Sequence, residues 1–360
     1  MAALTPDGVR LALKGVLFPG FRRDIVALGM VTDVRVEGGI VHVSVRSGTD
    51  KPEVHEQLVR SIQAVLARDA GAADVRVHLV GAAEGRGRDP FAERAGIPDV
   101  RHVIAVASTK GGVGKSTVAA NLAVALAEAT GSAGLLDADV YGPSVPIMFA
   151  TGSDRPRITP DKRIHPIERC GVKLVSMGFF LDERSPVIWR GPIVMGIVRQ
   201  FLRDVQWGPL EFLVVDLPPG TGDAVLTLVQ QVPITGGVVV TTPQDVALLD
   251  VGRGIAMFAQ VQVPILGVVE NMSGYVCPEC GTRDPVFGEG GARGLAERFG
   301  VPLLGQIPLV PAVRTAGDRG RPIVAAEPGH PVAHAFRELA RRVVAEADRV
   351  ALEPISGTVR

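Results

Sequence analysis

Cysteine is scarce in this chain of 360 residues: there are three, at positions 170, 277 and 280. So small and odd a number excludes a disulfide framework and points to a reducing compartment, with thiols kept for ligand or redox use. Aromatic residues make up only 4%, and the 38 basic side chains are cancelled by 38 acidic ones. Both facts count against a general role on nucleic acid or on an anionic membrane. No apolar run approaches the roughly 18 residues needed to cross a bilayer. Asp7, Arg10 and Lys14 interrupt the apolar residues near the start, so the uninterrupted core of a signal peptide is missing there. The expectation is a cytoplasmic protein with neither nucleic acid nor membrane as partner. Lysine is scarce too, with 6 among the 38 basic residues, yet two of the six stand in one short glycine-rich stretch.

That stretch is Ser108-Thr109-Lys110-Gly111-Gly112-Val113-Gly114-Lys115-Ser116-Thr117, between the apolar run 103–107 and an Ala/Leu-rich segment beginning at Val118. The order reads strand, glycine loop, helix. Gly111, Gly112 and Gly114 permit backbone conformations closed to residues with a Cβ, so successive N–H groups can face an anion, and the helix that follows adds its positive end. Lys115 supplies a point charge for the outer phosphates of a nucleoside triphosphate, and the Ser116 hydroxyl is placed to ligate its magnesium ion. The first glycine of the ordinary pattern G-x-x-x-x-G-K-[ST] is replaced by Thr109, and Lys110 opens the loop. In this form KGGVGKST resembles the deviant Walker A loop of the MinD, ParA and nitrogenase iron protein class of dimeric ATPases. The resemblance implies that Lys110 reaches across a dimer to the partner's nucleotide.

Residues 1–80 read as a small αββαβ module: a helix opened by Thr5-Pro6-Asp7, strands 30–36 and 40–46 across a Gly38-Gly39 turn, a helix over 51–69 and a strand over 75–80. The stretch FPGFRRDIVALGMV, 18–31, and the alternating strand after it resemble the MIP18-like domain of iron-sulfur assembly factors, which implies partner docking. Cysteine is absent near 48–51, where some relatives carry one. His42 and His55 read as lone histidines of ordinary character. Residues 81–99, rich in Gly, Pro and charge, read as a linker.

Residues 100–360 alternate strand and helix in the rhythm of a mostly parallel, doubly wound α/β sheet. Strands are expected at 237–241, 265–269 and 302–306, and helices at 245–260, 291–299 and 332–349. The last helix is amphipathic, fit for docking on the sheet or, as MinD-type proteins use theirs, for a membrane surface. Asp137-Ala138-Asp139 follows an apolar strand, at the sheet edge where ligands of such folds bind. The resemblance implies that Asp139 orients the attacking water, with a helix cap or turn as its other reading. EFLVVDL, 211–217, reads as a Walker B strand whose Asp216 would hold magnesium, and the loop PPGTGD after it can respond to the γ-phosphate. Asn271, just past a strand, matches the class position that reads the adenine or is a plain turn asparagine.

Cys277-Pro278-Glu279-Cys280 puts two thiols on one side of a turn, fit for zinc, for an iron-sulfur cluster or for a redox pair. One chain supplies two ligands where such a centre wants about four, and a two-fold axis would supply the rest. Cys170 reads as a buried apolar residue. NMSGYVCPECGTRDPVFGEGGA (271–292), DLPPGTGD and IWRGPIVMG (188–196) are similar to segments of Mrp-type iron-sulfur carriers. The resemblance implies a homodimeric ATPase that holds a [4Fe-4S] cluster between its subunits, takes it from a donor and passes it to apoproteins. A partition or positioning ATPase, or a zinc-stabilised nucleotide switch, are the alternatives.

Overall fold

A computed structural model describes residues 5–16, 24–26, 30–37, 40–46, 52–69, 72, 74–80, 96–139, 142–152, 154–180, 191–220 and 234–352. Several expectations lie outside them: the Gly38-Gly39 turn, most of the stretch 18–31, the linker from 81 to 95, residues 188–190 of the segment 188–196, and 221–223 of the loop after Asp216. The chain divides into two units, Met1–Ala92 and Glu93–Arg360.

In the first unit, helix α1 (Pro6–Leu13) begins where the Thr5 hydroxyl accepts the Gly8 N–H at 3.2 Å, with Pro6 in the first turn where a missing N–H costs nothing. Strands β1 (Val31–Glu37) and β2 (Ile40–Arg46) are antiparallel, helix α2 (Pro52–Asp69) crosses over, and β3 (Asp74–Val80) returns parallel to β2. The αββαβ order is the expected one, with strand ends shifted by a residue. Val41, Val43 and Val45 are fully buried with Leu13, Leu58, Ile62 and Leu66, because the period of two places all three valines on the helix-covered face. The opposite face carries His42, whose ring stacks on that of His78 with centroids 5.9 Å apart and planes 4° from parallel. His42 is therefore not the lone histidine expected, since parallel pairing of β2 and β3 brings residues 36 apart onto one face.

The second unit is built on a nine-stranded, mostly parallel sheet. In chain order its elements are β4 (Val100–Ala107), α3 (Lys115–Thr130), β5 (Ala133–Asp137), α4 (Val145–Met148), β6 (Arg157–Ile158), β7 (Ile164–His165), β8 (Ile167–Arg169), β9 (Val172–Ser176), α5 (Gly191–Asp204), β10 (Leu210–Asp216), β11 (Gly236–Thr241), α6 (Asp245–Gln260), β12 (Ile265–Val276), β13 (Arg283–Asp284), α7 (Gly291–Phe299), β14 (Leu303–Leu309), α8 (Pro311–Asp318), α9 (Ile323–Ala326) and α10 (Pro331–Leu352). The strand order is β13-β12-β11-β4-β10-β5-β9-β8, with β14 alongside β12 and antiparallel partners at β13 and β8. β4 lies in the middle and is buried from His102 to Ala107, as a strand covered on both faces must be. Helix α3 is buried from Val118 to Leu126 and shares one core with α10, whose Phe336, Leu339 and Val343 are fully buried. The apolar stripe of α10 is thus spent on its own unit, the docking alternative. No described helix is long and apolar enough to cross a membrane.

Two features depart from expectation. β12 runs to Val276 instead of ending at 269: the polar stretch ENMSG stays in the strand, with positive φ at Met272 (57°) and Gly274 (70°) absorbing an irregularity in register between Asn271 and Tyr275. Cys170 is exposed, correcting the buried reading. It forms with Gly171 the two-residue turn between β8 and β9, both at positive φ (50° and 75°), and turn geometry overrides the usual burial of cysteine.

A phosphate loop tied to a cysteine hairpin

The loop leaves β4 at Ala107 and enters α3 at Lys115, so the N-terminal end of a sixteen-residue helix points into it. Gly112 and Gly114 have φ of 81° and 77°, and a Cβ on Gly114 would collide with the Asn271 amide. Gly111 and Gly112 are exposed and Val113 is buried, which leaves the rim of the loop open and its root anchored. Ser108 Oγ donates to Lys110 O at 2.9 Å, and Gly220 N donates to Ser108 O at 2.8 Å. Thr109 packs its methyl against α6, where a Cβ on Gly254 would come within 3.0 Å of it. Asn271 Nδ2 donates to Val113 O at 2.8 Å. In this structure the amide expected to read an adenine therefore braces the phosphate loop.

Beneath the loop Lys115 is ion-paired with Asp216, and both are buried. Lys115 Nζ also donates to Ser116 Oγ at 3.3 Å. Burial pushes the Asp216 carboxyl above its ordinary range, against the pull of Lys115. Its second oxygen, Oδ2, is buried without a hydrogen-bond partner. An orphaned carboxylate oxygen in the neighbourhood of the Ser116 hydroxyl fits the oxygen-ligand chemistry of a magnesium ion held partly through water. Ser116 and Thr117 are half-buried at the loop mouth.

Parallel register puts Asp137 directly beside Asp216. Asp137 is fully buried, and burial together with the Asp216 charge pushes its carboxyl up to about 7 against hydrogen bonds from Ser176 Oγ (2.9 Å) and Val145 N (3.2 Å). Sequence reasoning gave Asp137 no role, although it ends an apolar strand just as Asp216 does. Asp139, half-buried, donates its N–H to Asp137 Oδ1 at 3.1 Å and adds its charge to the field that raises Asp216. The structure thus brings the loop, Asp137, Asp139 and Asp216 to the carboxyl ends of β4, β5 and β10, with Asn271 reaching the loop from the middle of β12. Lys110 turns away to α6, with Nζ 2.5 Å from Val246 O and 3.1 Å from Asp250 Oδ2.

The cysteines lie on the hairpin that joins β12 to β13. Gly281 N donates to Cys277 O (2.9 Å) and Cys277 N to Thr282 O (3.0 Å), closing a tight loop with Gly281 at φ 72°. Cys277 is half-buried and Cys280 exposed. Cys280 Sγ and Thr282 Oγ1 are hydrogen-bonded at 3.2 Å, and this bond, with the Thr282 N–H and Cys277, lowers the Cys280 thiol below its usual range. Among the described residues no group of three or more Cys, His, Asp and Glu is gathered as a metal site. Cys170 lies on a different hairpin, between β8 and β9.

The family of NUBPL iron-transfer P-loop NTPases of the ParA type matches residues 99–344, and the iron-sulfur cluster assembly protein domain matches residues 6–79. An iron-sulfur cluster carrier protein of Synechocystis is 42% identical over 353 residues, 97% of this chain and 99% of that one. An Arabidopsis thaliana iron-sulfur protein required for mitochondrial NADH dehydrogenase is 47% identical over 288 residues, 80% of this chain and 90% of its own. Among solved structures, a nucleotide-binding protein of Archaeoglobus fulgidus in complex with ADP superposes with a TM-score of 0.59 at 37% identity, covering 69% of this chain and 96% of that one. The cell-division ATPase MinD of Pyrococcus furiosus shares the fold at 23% identity, with a TM-score of 0.52 and 68% and 98% coverage. With a phosphate loop of the deviant kind and a matching front module, the chain belongs to the iron-sulfur cluster carrier family of ParA-type P-loop NTPases.

Proposed function

We propose that the protein is a cytoplasmic, homodimeric, ATP-hydrolysing carrier that receives a [4Fe-4S] cluster from a donor, holds it between Cys277 and Cys280 of each subunit, and releases it to apoproteins. The observation that carries this reading is the half-complete thiol site on an accessible hairpin, at the end of the strand whose Asn271 braces the phosphate loop. Two thiolates per chain leave a cluster two ligands short, and an isologous interface doubles them. A cargo at a subunit boundary is exposed or covered as that boundary changes.

In this reading the backbone N–H groups of residues 111–117 bind the phosphates, Lys115 exchanges part of its contact with Asp216 for the outer phosphates, and Ser116 and Asp216 hold magnesium. Magnesium, when bound, supplies charge neutralisation across the β- and γ-phosphates. Asp139 orients the attacking water. Lys110 exchanges Val246 O and Asp250 for the partner's nucleotide, and Asn271 turns its amide to the adenine. The front module, 1–80, docks donors or recipients, and 81–99 links it to the ATPase unit, 100–360. A positioning ATPase needs neither the cysteine pair nor that module, and a zinc switch is separated by iron and sulfide analysis.

The test is anaerobic reconstitution of the full chain, followed by transfer to a generic apo-acceptor with and without MgATP. Cys277→Ala and Cys280→Ala each lose the iron and sulfide that co-migrate with the dimer, and Cys170→Ala keeps them. Loss in Cys170→Ala as well, or a cluster that stays on monomers, overturns the bridging site.

A further inference from the structure

Glu270 is fully buried and immediately precedes Asn271 on β12. Its carboxylate accepts four hydrogen bonds: from Ser273 Oγ (2.6 Å), from Gln306 Nε2 on β14 (2.8 Å), and from the backbone N–H groups of Gly290 (3.0 Å) and Ala292 (2.7 Å) at the start of α7. A buried charge held this completely is costly to remove, because four donors are stranded together. Neither phosphate binding nor thiol ligation uses it.

Its place in the fold is what gives it a task. Strand alternation sends Glu270 and Asn271 to opposite sides, so the first grips Ser273, four residues before Cys277, and the start of α7, while the second grips Val113 of the phosphate loop. Between Asn271 and the cysteines the strand is irregular, and the hairpin's returning Arg283 leans on this irregular segment, donating from Nη2 to Ser273 O at 3.1 Å. A second route leads to the same carboxylate. Lys110 of the loop is fastened to α6 at Val246 O and Asp250, and Leu248 of α6 presses on Gly291 so closely that no Cβ fits there. Gly291 lies between the two residues whose N–H groups Glu270 holds. The two routes from the loop, through Asn271 and through α6, thus meet at Glu270, whose partner Ser273 also holds Arg283 of the hairpin.

We infer that Glu270 is a positioning residue that makes the stance of the Cys277/Cys280 hairpin depend on the state of the phosphate loop. This rests on the proposed reading of the loop as a nucleotide site and of the cysteines as the cargo site. The coupling is a free energy between two sites carried by a contiguous set of hydrogen bonds, and it is reciprocal: a load on the cysteines changes nucleotide affinity by the same factor.

The experiment is hydrogen-deuterium exchange on the full chain, free and saturated with MgADP, with MgADP affinity measured by calorimetry and folding by circular dichroism. In the wild type, bound MgADP changes exchange of the amides in 275–284 by about fivefold or more, the lower end of an ordinary coupling between sites. In Glu270→Gln the response is lost while MgADP still binds. Ser273→Ala, which removes one donor and leaves the carboxylate in place, folds as the wild type and shows a reduced response, so the inference stays testable if Glu270→Gln fails to fold. Wild-type hairpin amides that ignore bound MgADP, or a folded variant that keeps the full response, overturn it. Iron and sulfide analysis is read separately: a chain that binds no cluster but whose hairpin answers MgADP sinks the carrier reading and leaves the coupling standing, and the reverse result does the opposite.

Discussion

Individual residues in this protein matter through the company that burial forces on them. Asp216 and Asp137 end neighbouring strands in register, and burial raises both carboxyls against the pull of the Lys115 charge. Carboxylates placed this way favour a cation beside them, and in the structure Lys115 is ion-paired with Asp216. Cys280 shows the opposite case, a group tuned at the surface. A hydrogen bond to sulfur stabilises the thiolate over the thiol, so the Thr282 hydroxyl lowers the pH at which Cys280 becomes a ligand or nucleophile. Alkylation of Cys280 by iodoacetamide, followed against pH by peptide mass spectrometry, accordingly has a midpoint below that of an ordinary thiol. Thr282→Val moves that midpoint upward with no change in fold, and a midpoint unmoved by the substitution contradicts the assignment.

Among the elements, β11 and β12 explain why the site has its shape. β11 opens with Gly236 and Gly237 because Leu266 of β12 and Phe258 of α6 press on it: a Cβ on Gly237 would lie 2.7 Å from Phe258 Cζ. This close approach seats α6 against the sheet and against Thr109 at once. Gly237→Ala overpacks that contact and costs about 1–3 kcal/mol, read as a lowered thermal midpoint. Because α6 carries Val246 O and Asp250, the same variant loosens the hold on Lys110 and changes exchange of the loop amides. Unchanged stability would mean that the sheet has room the geometry denies. β12 is the long element, and its irregular second half was the least legible part of the ATPase unit. ENMSG is a polar, turn-like string, and pairing of Glu270 with β11 and of Glu270 and Asn271 with β14 keeps it in the sheet, with β13 taking up Tyr275 and Val276 beyond it.

At the scale of the whole molecule the chain divides near Ala92, and each unit has its own buried core. A chain beginning at Glu93 is expected to fold and to unfold in one thermal transition matching a transition of the full chain, while losing the interactions with other proteins proposed for the front module. Global unfolding of that truncated chain would show the two units to be interdependent. The sequence alone determined the phosphate loop, the two strands that end in aspartate, the αββαβ order and the spacing of Cys277 and Cys280. Each of these is set by local chemistry: glycine where φ must be positive, apolar runs where a strand is covered on both faces, two thiols two residues apart. It could not settle what depends on strand order. The short strands between 157 and 176, and with them the exposure of Cys170 in a hairpin turn, come from local antiparallel pairing that their spacing does not announce. The pairing of Asp137 with Asp216 and the meeting of Glu270 with Gln306 and the start of α7 join residues far apart in the chain. Only the parallel sheet decided those contacts, because register between strands, and not spacing along one, fixes which side chains share a buried space.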